Sequence, residues 1–350
     1  MELKFKTEDL REVVETVSHA IPEGKRSIDP ALAHLTIRFV DDRLTIYGTD
    51  LEIYIEASMD VTDVKNAEDF KPFAVDGLKL KRIAASLPDE EAKLKILENK
   101  ILLTSGTAKH QINPLPESPH KPIEVAGKPK TIKGISPLFK KALSIISITD
   151  HYLGAGLYIE GTDLVAMDGT RMYYYIMDDS FDGKVYIPTR AVKVLSQQEE
   201  FGLTFNDSSL YAEFNEGKVK LWSRLLMSGF SEYKSLVPED SDRKFSVNRE
   251  QLKDALKTLL PATDSSHVVV FRATKNTLEL AASSDALEST NQVVCKNKTK
   301  EEISFALNGS YAIDMLNACE GREITIKQTL PGKPICVEEK NLIYLLATIN

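Results

Sequence analysis

The stretch FAVDGLKLKRIAASLP (73–88) reads as a strand that passes through a short polar turn into a helix. Asp76 stands at the turn, where a short polar side chain can cap the helix that follows. The same form returns in YIPTRAVKVLSQQ (186–198), with Thr189 at the turn, and in FALNGSYAIDMLNACEG (305–321), with Asn308 there. The three copies recur at intervals of about 115 residues, so the chain reads as three repeats of one plan.

A second set supports this. FKTEDLREVVETVSHAIP (5–22), ISPLFKKALSIISITD (135–150) and FSVNREQLKDALKTLLPATD (245–264) each open on a short strand and run into an amphipathic helix. In the third, Leu252, Ala255, Leu256, Leu259 and Leu260 form the apolar stripe. Strands fill matching gaps: TIYGTDLEIYIEA (45–57), LVAMDGTRMYYYIM (164–177) and LELAASSDALESTNQVV (278–294). In the first of these, strand alternation puts Asp50, Glu52, Tyr54 and Glu56 on a solvated face, opposite Leu51, Ile53, Ile55 and Ala57. Asp50 and Glu52 therefore read as strand-face residues and not as a catalytic pair, because their counterparts MDGTRM and SSDALEST do not keep the spacing. Each repeat amounts to roughly eight short strands and two helices, which makes the fold class α+β. Polar linkers near 126–131 (AGKPKT) and 239–244 (EDSDRK) place the domains at 1–128, 129–242 and 243–350.

Composition bounds the function. The chain has 350 residues, 42% of them hydrophobic and 27% charged, as in ordinary globular proteins. No apolar run reaches membrane-spanning length, and MELKFKTEDL lacks the apolar region of a signal peptide, so a cytoplasmic protein with no membrane partner is expected. Three cysteines (Cys295, Cys319, Cys336), none in CxxC spacing, indicate neither a disulfide framework nor a zinc site. No Gly-rich phosphate loop appears and the six histidines are scattered, so no metal, cofactor or catalytic residue is expected.

The net charge of −8 argues against a simple basic nucleic-acid binder, yet the expected helices carry clustered cations. They are Lys79, Lys81 and Arg82; Lys140 and Lys141; Arg190 and Lys193; and Arg249, Lys253 and Lys257. Acidic residues gather in strands and loops instead, the first and last helices excepted. Two readings stand at this point. Lys and Arg are good helix formers on a solvated face; alternatively, the helices line one surface and present an electropositive field to phosphates.

Four segments now become recognisable: GTDLEIYIEA (48–57), VAMDGTRMYYY (165–175), LMSGFSEYKSLVP (226–238) and FALNGSYAIDMLNA (305–318). In this order, spread over the whole chain and in step with the repeats, they resemble the bacterial DNA polymerase III beta subunit family, the sliding clamps, including phage-encoded members. The resemblance implies a homodimeric ring of six similar DNA-clamp domains, helices lining the hole and antiparallel sheets outside. It implies a processivity factor, nucleoid-associated and not an enzyme, that encircles duplex DNA without sequence preference and tethers the replicative polymerase. A clamp loader would be a further partner. It adds Arg26, His151 and Tyr152 to the helix cations as DNA contacts.

It also implies a partner-peptide groove made by Leu153, Met167, Gly169, Thr170, Arg171, Met172, Ser231, Ser235, Leu236, Pro334, Leu345 and Ala347. Thr170 replaces the family's usual His, Ser231 its Pro, and the tail LLATIN differs from the usual ending. Weaker binding of the common Q-L-x-L-F-type peptide is therefore expected. The strand TAKHQIN (107–113) matches a first-domain edge, so Lys109, His110 and Ile112 should meet Leu259 and Leu260 of a second copy. His110 stands where the family tends to have an aromatic. Two alternatives remain: a clamp-like scaffold that binds proteins without DNA, and an enzyme using Asp168 and Arg171.

Overall fold

The computed structural model describes residues 1–22, 29–66, 70–97, 100–146, 156–227, 230, 232–239, 241–297, 299 and 301–349. The first repeat contains β1 (Glu2–Lys6), α1 (Thr7–Ser18), β2 (His34–Val40), β3 (Arg43–Thr49), β4 (Ile53–Asp60), β5 (Asp63–Lys65), β6 (Phe73–Asp76), α2 (Gly77–Ser86), β7 (Glu91–Ile96), β8 (Ile101–Ser105) and β9 (Ala108–Ile112). The second contains β10 (Lys130–Lys133), α3 (Ser136–Ile146), β11 (Gly156–Met167), β12 (Arg171–Pro188), α4 (Thr189–Leu195), β13 (Glu200–Phe205), β14 (Ser209–Phe214) and β15 (Val219–Arg224). The third contains β16 (Lys244–Asn248), α5 (Arg249–Leu259), β17 (Val268–Ala273), β18 (Thr277–Ser283), β19 (Glu288–Asn297), β20 (Ile303–Asn308), α6 (Gly309–Ala318), β21 (Glu323–Gln328), β22 (Ile335–Glu339) and β23 (Leu342–Leu346).

The strand–helix junctions lie where the sequence places them. Asp76 Oδ1 accepts from the Lys79 amide at 2.9 Å and Asn308 Oδ1 from that of Tyr311 at 3.1 Å, so both cap their helices. Asn248 caps α5 in the same way, through the Gln251 amide at 3.1 Å. The second repeat has fewer, longer strands because β11 and β12 each run two together. Before Gly161 (φ +59°), β11 pairs with Lys184–Pro188; after it, the register breaks and β11 pairs with Arg171–Ile176. These ladders correspond to β2 with β6 and β3 with β4 in the first repeat.

One expectation about the 45–57 stretch is corrected. It is two strands and a turn, with Asp50, Leu51 and Glu52 between β3 and β4. The Asp50 amide donates to the Ile53 carbonyl at 3.3 Å, and Asp50 Oδ1 accepts from the amides of Glu52 and Ile53. Leu51 takes up a left-handed conformation, φ +77°. An Asx turn outcompetes strand alternation here because the side chain of Asp supplies the bonds a ladder would have made. Asp168 repeats it between β11 and β12, its amide donating to the Arg171 carbonyl at 3.2 Å; between β18 and β19 the same backbone bond recurs, from the Ser284 amide to the Leu287 carbonyl at 2.9 Å, without the Asx side chain. The polar side of β4 is not bare either: Tyr54 is buried between Tyr47, stacked at 5.3 Å, and Trp222, edge-on at 5.4 Å.

Strands join into sheets of five (β5-β1-β7-β8-β9), eight (β10-β13-β14-β15-β4-β3-β2-β6) and ten (β11-β12-β23-β22-β21-β16-β19-β18-β17-β20). The larger two cross repeat borders, through β15 with β4 and β12 with β23. Compactness accordingly divides the chain into Met1–Ser136 with Arg190–Leu225, and Pro137–Thr189 with Leu226–Asn350, a cut through the second repeat. In the first unit α1 buries Leu10, Val13, Val14 and Val17, and in the second α5 buries Leu252, Ala255, Leu256 and Leu259. Among the described residues, no helix is long and apolar enough to cross a membrane.

Candidate partner groove and nucleic-acid interface

In the second unit, one face of the ten-stranded sheet carries an apolar row. Met167 pairs with Met172, Met172 with Leu345, and Leu345 with Cys336, so four strands contribute one residue each. The adjoining row is Val165, Tyr174 and Ile343. Phe230, Tyr233 and Val237, from the segment after β15, pack against these rows. Phe230 stacks on Tyr158 at 4.6 Å, and Tyr233 meets Tyr174 edge-on at 5.3 Å. Leu236 ends the 3₁₀ turn Tyr233–Leu236 and stays 47% exposed. Methionine-rich walls of this kind adapt to differently shaped apolar partners. The Cys336 thiol, pushed up to about 12 by burial and the nearby Glu338 carboxylate, is inert packing.

The expected groove residues fall in several places. Met167, Met172 and Leu345 are brought together in the row, and Ser235 and Leu236 lie on the covering turn. The Ala347 amide donates to the Thr170 carbonyl at 2.7 Å, which ties the tail to the turn at Gly169–Thr170. Gly169 (φ +84°) supplies the left-handed conformation that this turn requires. Pro334 is exposed just before Ile335, whose ladder partner is Leu346. Leu153 and Ser231 lie outside the described residues.

Arg171 does not line the groove. It is adjacent to Met172 on β12, so alternation sends its side chain through to the opposite face of the sheet. There its guanidinium is fully buried and donates to Asp168 (2.9 Å), Asp314 of α6 (2.6 Å) and the Ser144 carbonyl at the end of α3 (2.7 Å). It also lies 3.9 Å over the Tyr311 ring. The Asp168 side chain is only 2% exposed, so neither member of this pair is open to a substrate, and the enzyme reading loses its site.

The cations divide by partner. In the first unit, Lys81 of α2 bonds Glu15 of α1 at 2.8 Å, and Lys79 pairs with Asp76 at 3.4 Å. Arg82 and Lys193 are exposed, with no ion pair among the described residues. Arg190 is committed to the fold: it grips the Asp50 turn carboxylate and the carbonyls of His19 and Ile21 just past α1, which offsets the negative end of that helix. Burial lowers the His19 pKa, and so do Lys193, Lys81 and Arg190, which marks this helix end as a basic corner despite Glu15. In the second unit, Lys141 of α3 bonds Glu320 at 2.8 Å and holds that carboxyl below the usual range. Arg249 donates to the Cys319 carbonyl at the end of α6. Lys140 is exposed and Lys253 half-buried, neither with an ion pair among the described residues. Arg26, His151 and Tyr152 lie outside the described residues.

Two sheet edges bear on association. β9 is the last strand of its sheet, with His110 and Ile112 on the half-buried face and Lys109 on the exposed one. β19 meets β16 only at Cys295–Asn297, so Glu288–Val294 has one ladder partner, β18. Asn291 of this edge donates to Thr258 near the end of α5 at 2.9 Å. Leu259, expected at the interface, is a core residue at 1% exposure because it closes the apolar stripe of α5; Leu260, one position on, is half-buried. Sequence reasoning missed Asp163, Tyr174, Phe230 and Tyr233, although the alternation of β11 puts Asp163 on the face of Val165 and Met167.

These elements have close counterparts. Residues 1–121 match the family model of the DNA polymerase III beta subunit N-terminal domain, and residues 234–349 that of its C-terminal domain. The beta sliding clamp of Proteus mirabilis is 22% identical over 335 residues, 91% of this chain and 90% of that one. That of Treponema pallidum is 24% identical over 318 residues, covering 83% and 84%. The DNA polymerase III beta subunit of Thermotoga maritima superposes with a TM-score of 0.86 at 21% identity, over 100% of this chain and 99% of that one. The Helicobacter pylori beta clamp bound to a DNA ligase peptide gives a TM-score of 0.82 at 16% identity, over 100% of both chains. The chain belongs to the DNA polymerase III beta subunit family, the beta sliding clamps.

Proposed function

We propose that the protein is a DNA sliding clamp: two chains close head to tail around duplex DNA and hold a replicative polymerase, delivered with the help of a clamp loader. The repeats 1–128, 129–242 and 243–350 would be its domains, three from each chain. The observation that carries this reading is the pair of unfilled edges, β9 and the Glu288–Val294 part of β19, in a chain with this fold. Main-chain hydrogen bonds across such edges extend a sheet from one chain into the next. Ile112 and Leu260 would be the apolar contacts beside them. The double variant Ile112→Asp with Leu260→Asp is expected to sediment as a monomer. A dimer that survives both changes would place the interface elsewhere.

DNA contact is read as loose and sequence-blind, through the helix cations. Each phosphate neutralised contributes about 0.9 to the slope of log K against log salt. Removing Lys81, Arg82, Lys140 and Lys141 together is expected to flatten that slope on open DNA. Because Glu15 and Glu320 hold Lys81 and Lys141, the pair Glu15→Gln and Glu320→Gln should act the other way, tightening binding and steepening the slope. Opposite shifts from the two sets support phosphate contact through these helices. No shift from either supports a protein-binding scaffold without DNA.

A further inference from the structure

At one end of the groove sits a buried carboxylate. Asp163 lies on β11, on the face of Val165 and Met167, and is 7% exposed. A buried charge of this kind is costly unless it is paired and hydrogen-bonded. Here three donors meet it: Tyr233 Oη at 2.7 Å, Lys234 Nζ at 2.8 Å and Tyr174 Oη at 3.1 Å. Two of the three belong to the turn Tyr233–Leu236, which has no side-chain cap of its own. That turn presents Leu236, which stays exposed and which the family resemblance assigns to the groove.

We propose that Asp163 is a positioning residue for partner binding, which pins the Tyr233–Leu236 turn to the sheet and thereby fixes the wall that an apolar peptide anchor meets. The inference rests on the groove being where a replicative partner's peptide docks, as the family resemblance implies. Tyr174 on β12 completes the carboxylate's shell, and Lys234, 70% exposed at its side chain, balances its charge toward solvent. The neighbouring Glu160 is bound to Tyr158 at 2.6 Å and lies outside the shell.

Burial pushes the Asp163 carboxyl up, but the bonds from Lys234, Tyr233 and Tyr174 outweigh it and leave the group below its ordinary value. A depressed carboxyl contributes its hold above its unfolded value and loses it as pH falls through the folded one. The pinning should therefore fail only in acid. The surrounding tyrosines and Lys234 are all pushed up and do not titrate there, and Glu160→Gln and Glu232→Gln control for the neighbouring carboxylates.

The test uses the full chain, with amide hydrogen exchange and calorimetry against a synthetic Gln-Leu-Ser-Leu-Phe peptide. The amides of Ser235 and Val237, which bond within the turn, report the pinning without any ligand. Asp163→Asn is expected to speed their exchange and to weaken peptide binding, each by about tenfold, the scale of one charge-assisted hydrogen bond. Its binding should also lose the acid-side fall that the wild type and Glu160→Gln retain. Tyr233→Phe, nearly isosteric and safe for the fold, should lose less, and the double variant no more than Asp163→Asn alone, since both break one contact. Unchanged exchange in Asp163→Asn, or additive losses in the double variant, would overturn the proposal. Faster exchange with peptide affinity unchanged would overturn the turn's role in binding, whereas faster exchange with neither this peptide nor the cognate polymerase's C-terminal peptide bound by wild type would support the pinning and remove the groove as the partner site.

Discussion

Arg171→Ala should cost the fold about 3–5 kcal/mol, the range for removing one partner of a buried ion pair. The guanidinium has no exposed surface and holds three elements at once: the Asp168 turn, the end of α3 through the Ser144 carbonyl, and α6 through Asp314. Alanine would leave the Asp168 carboxylate, itself 2% exposed, without its counter-charge. Arg171→Lys should recover little, because an ammonium cannot reproduce a planar fork aimed at three acceptors. Combining Arg171→Met with Asp168→Asn and Asp314→Asn should recover more than lysine does, since it removes the stranded charges as well. Denaturant unfolding of the four proteins checks this order. A loss under about 1 kcal/mol for Arg171→Ala would mean that the cluster behaves as an exposed pair.

This cluster also marks where the sequence stopped being legible. Helices, their polar caps and the edge strand follow from periodicity and from short-range bonds, and Asp76 and Asn308 lie three residues from the amides they accept. The apolar row could be read because Met167, Met172 and Leu345 match a family pattern. The arginines could not. Arg171 and Asp314 lie 143 residues apart, and Arg190 and Asp50 lie 140 apart, so no local pattern announces either pair. Both arginines therefore read as surface cations or groove residues, when each closes a helix end onto a hairpin turn. Alternation alone would have corrected Arg171, because a residue next to Met172 cannot share its face. Asp50 was misread for a related reason: a continuous apolar alternation hid a turn whose bonds come from the side chain of Asp50 itself.

Partner binding should be abolished by an acidic residue in the groove, and the structure decides which variant tests this cleanly. One or two buried Leu or Phe anchors contribute about 1.5–3 kcal/mol each. After the cost of ordering a flexible peptide, this corresponds to roughly −8 kcal/mol, near-micromolar affinity. Met172→Asp and Leu345→Asp should each abolish stimulation of the cognate polymerase. Both residues, however, are packed into the sheet at 2% and 6% exposure, so either carboxylate would also burden the fold. Leu236 stands 47% exposed on the covering turn, and an aspartate there stays in water until a peptide arrives. Leu236→Asp should therefore weaken binding of the polymerase's C-terminal peptide by at least the contribution of one anchor, about 1.5 kcal/mol or more than tenfold, with stability and dimerisation unchanged. Calorimetry with that peptide, beside a denaturation curve for each variant, separates lost binding from lost folding. If Leu236→Asp binds as well as wild type, and Met172→Asp fails only in proportion to its lost stability, the partner docks on another surface.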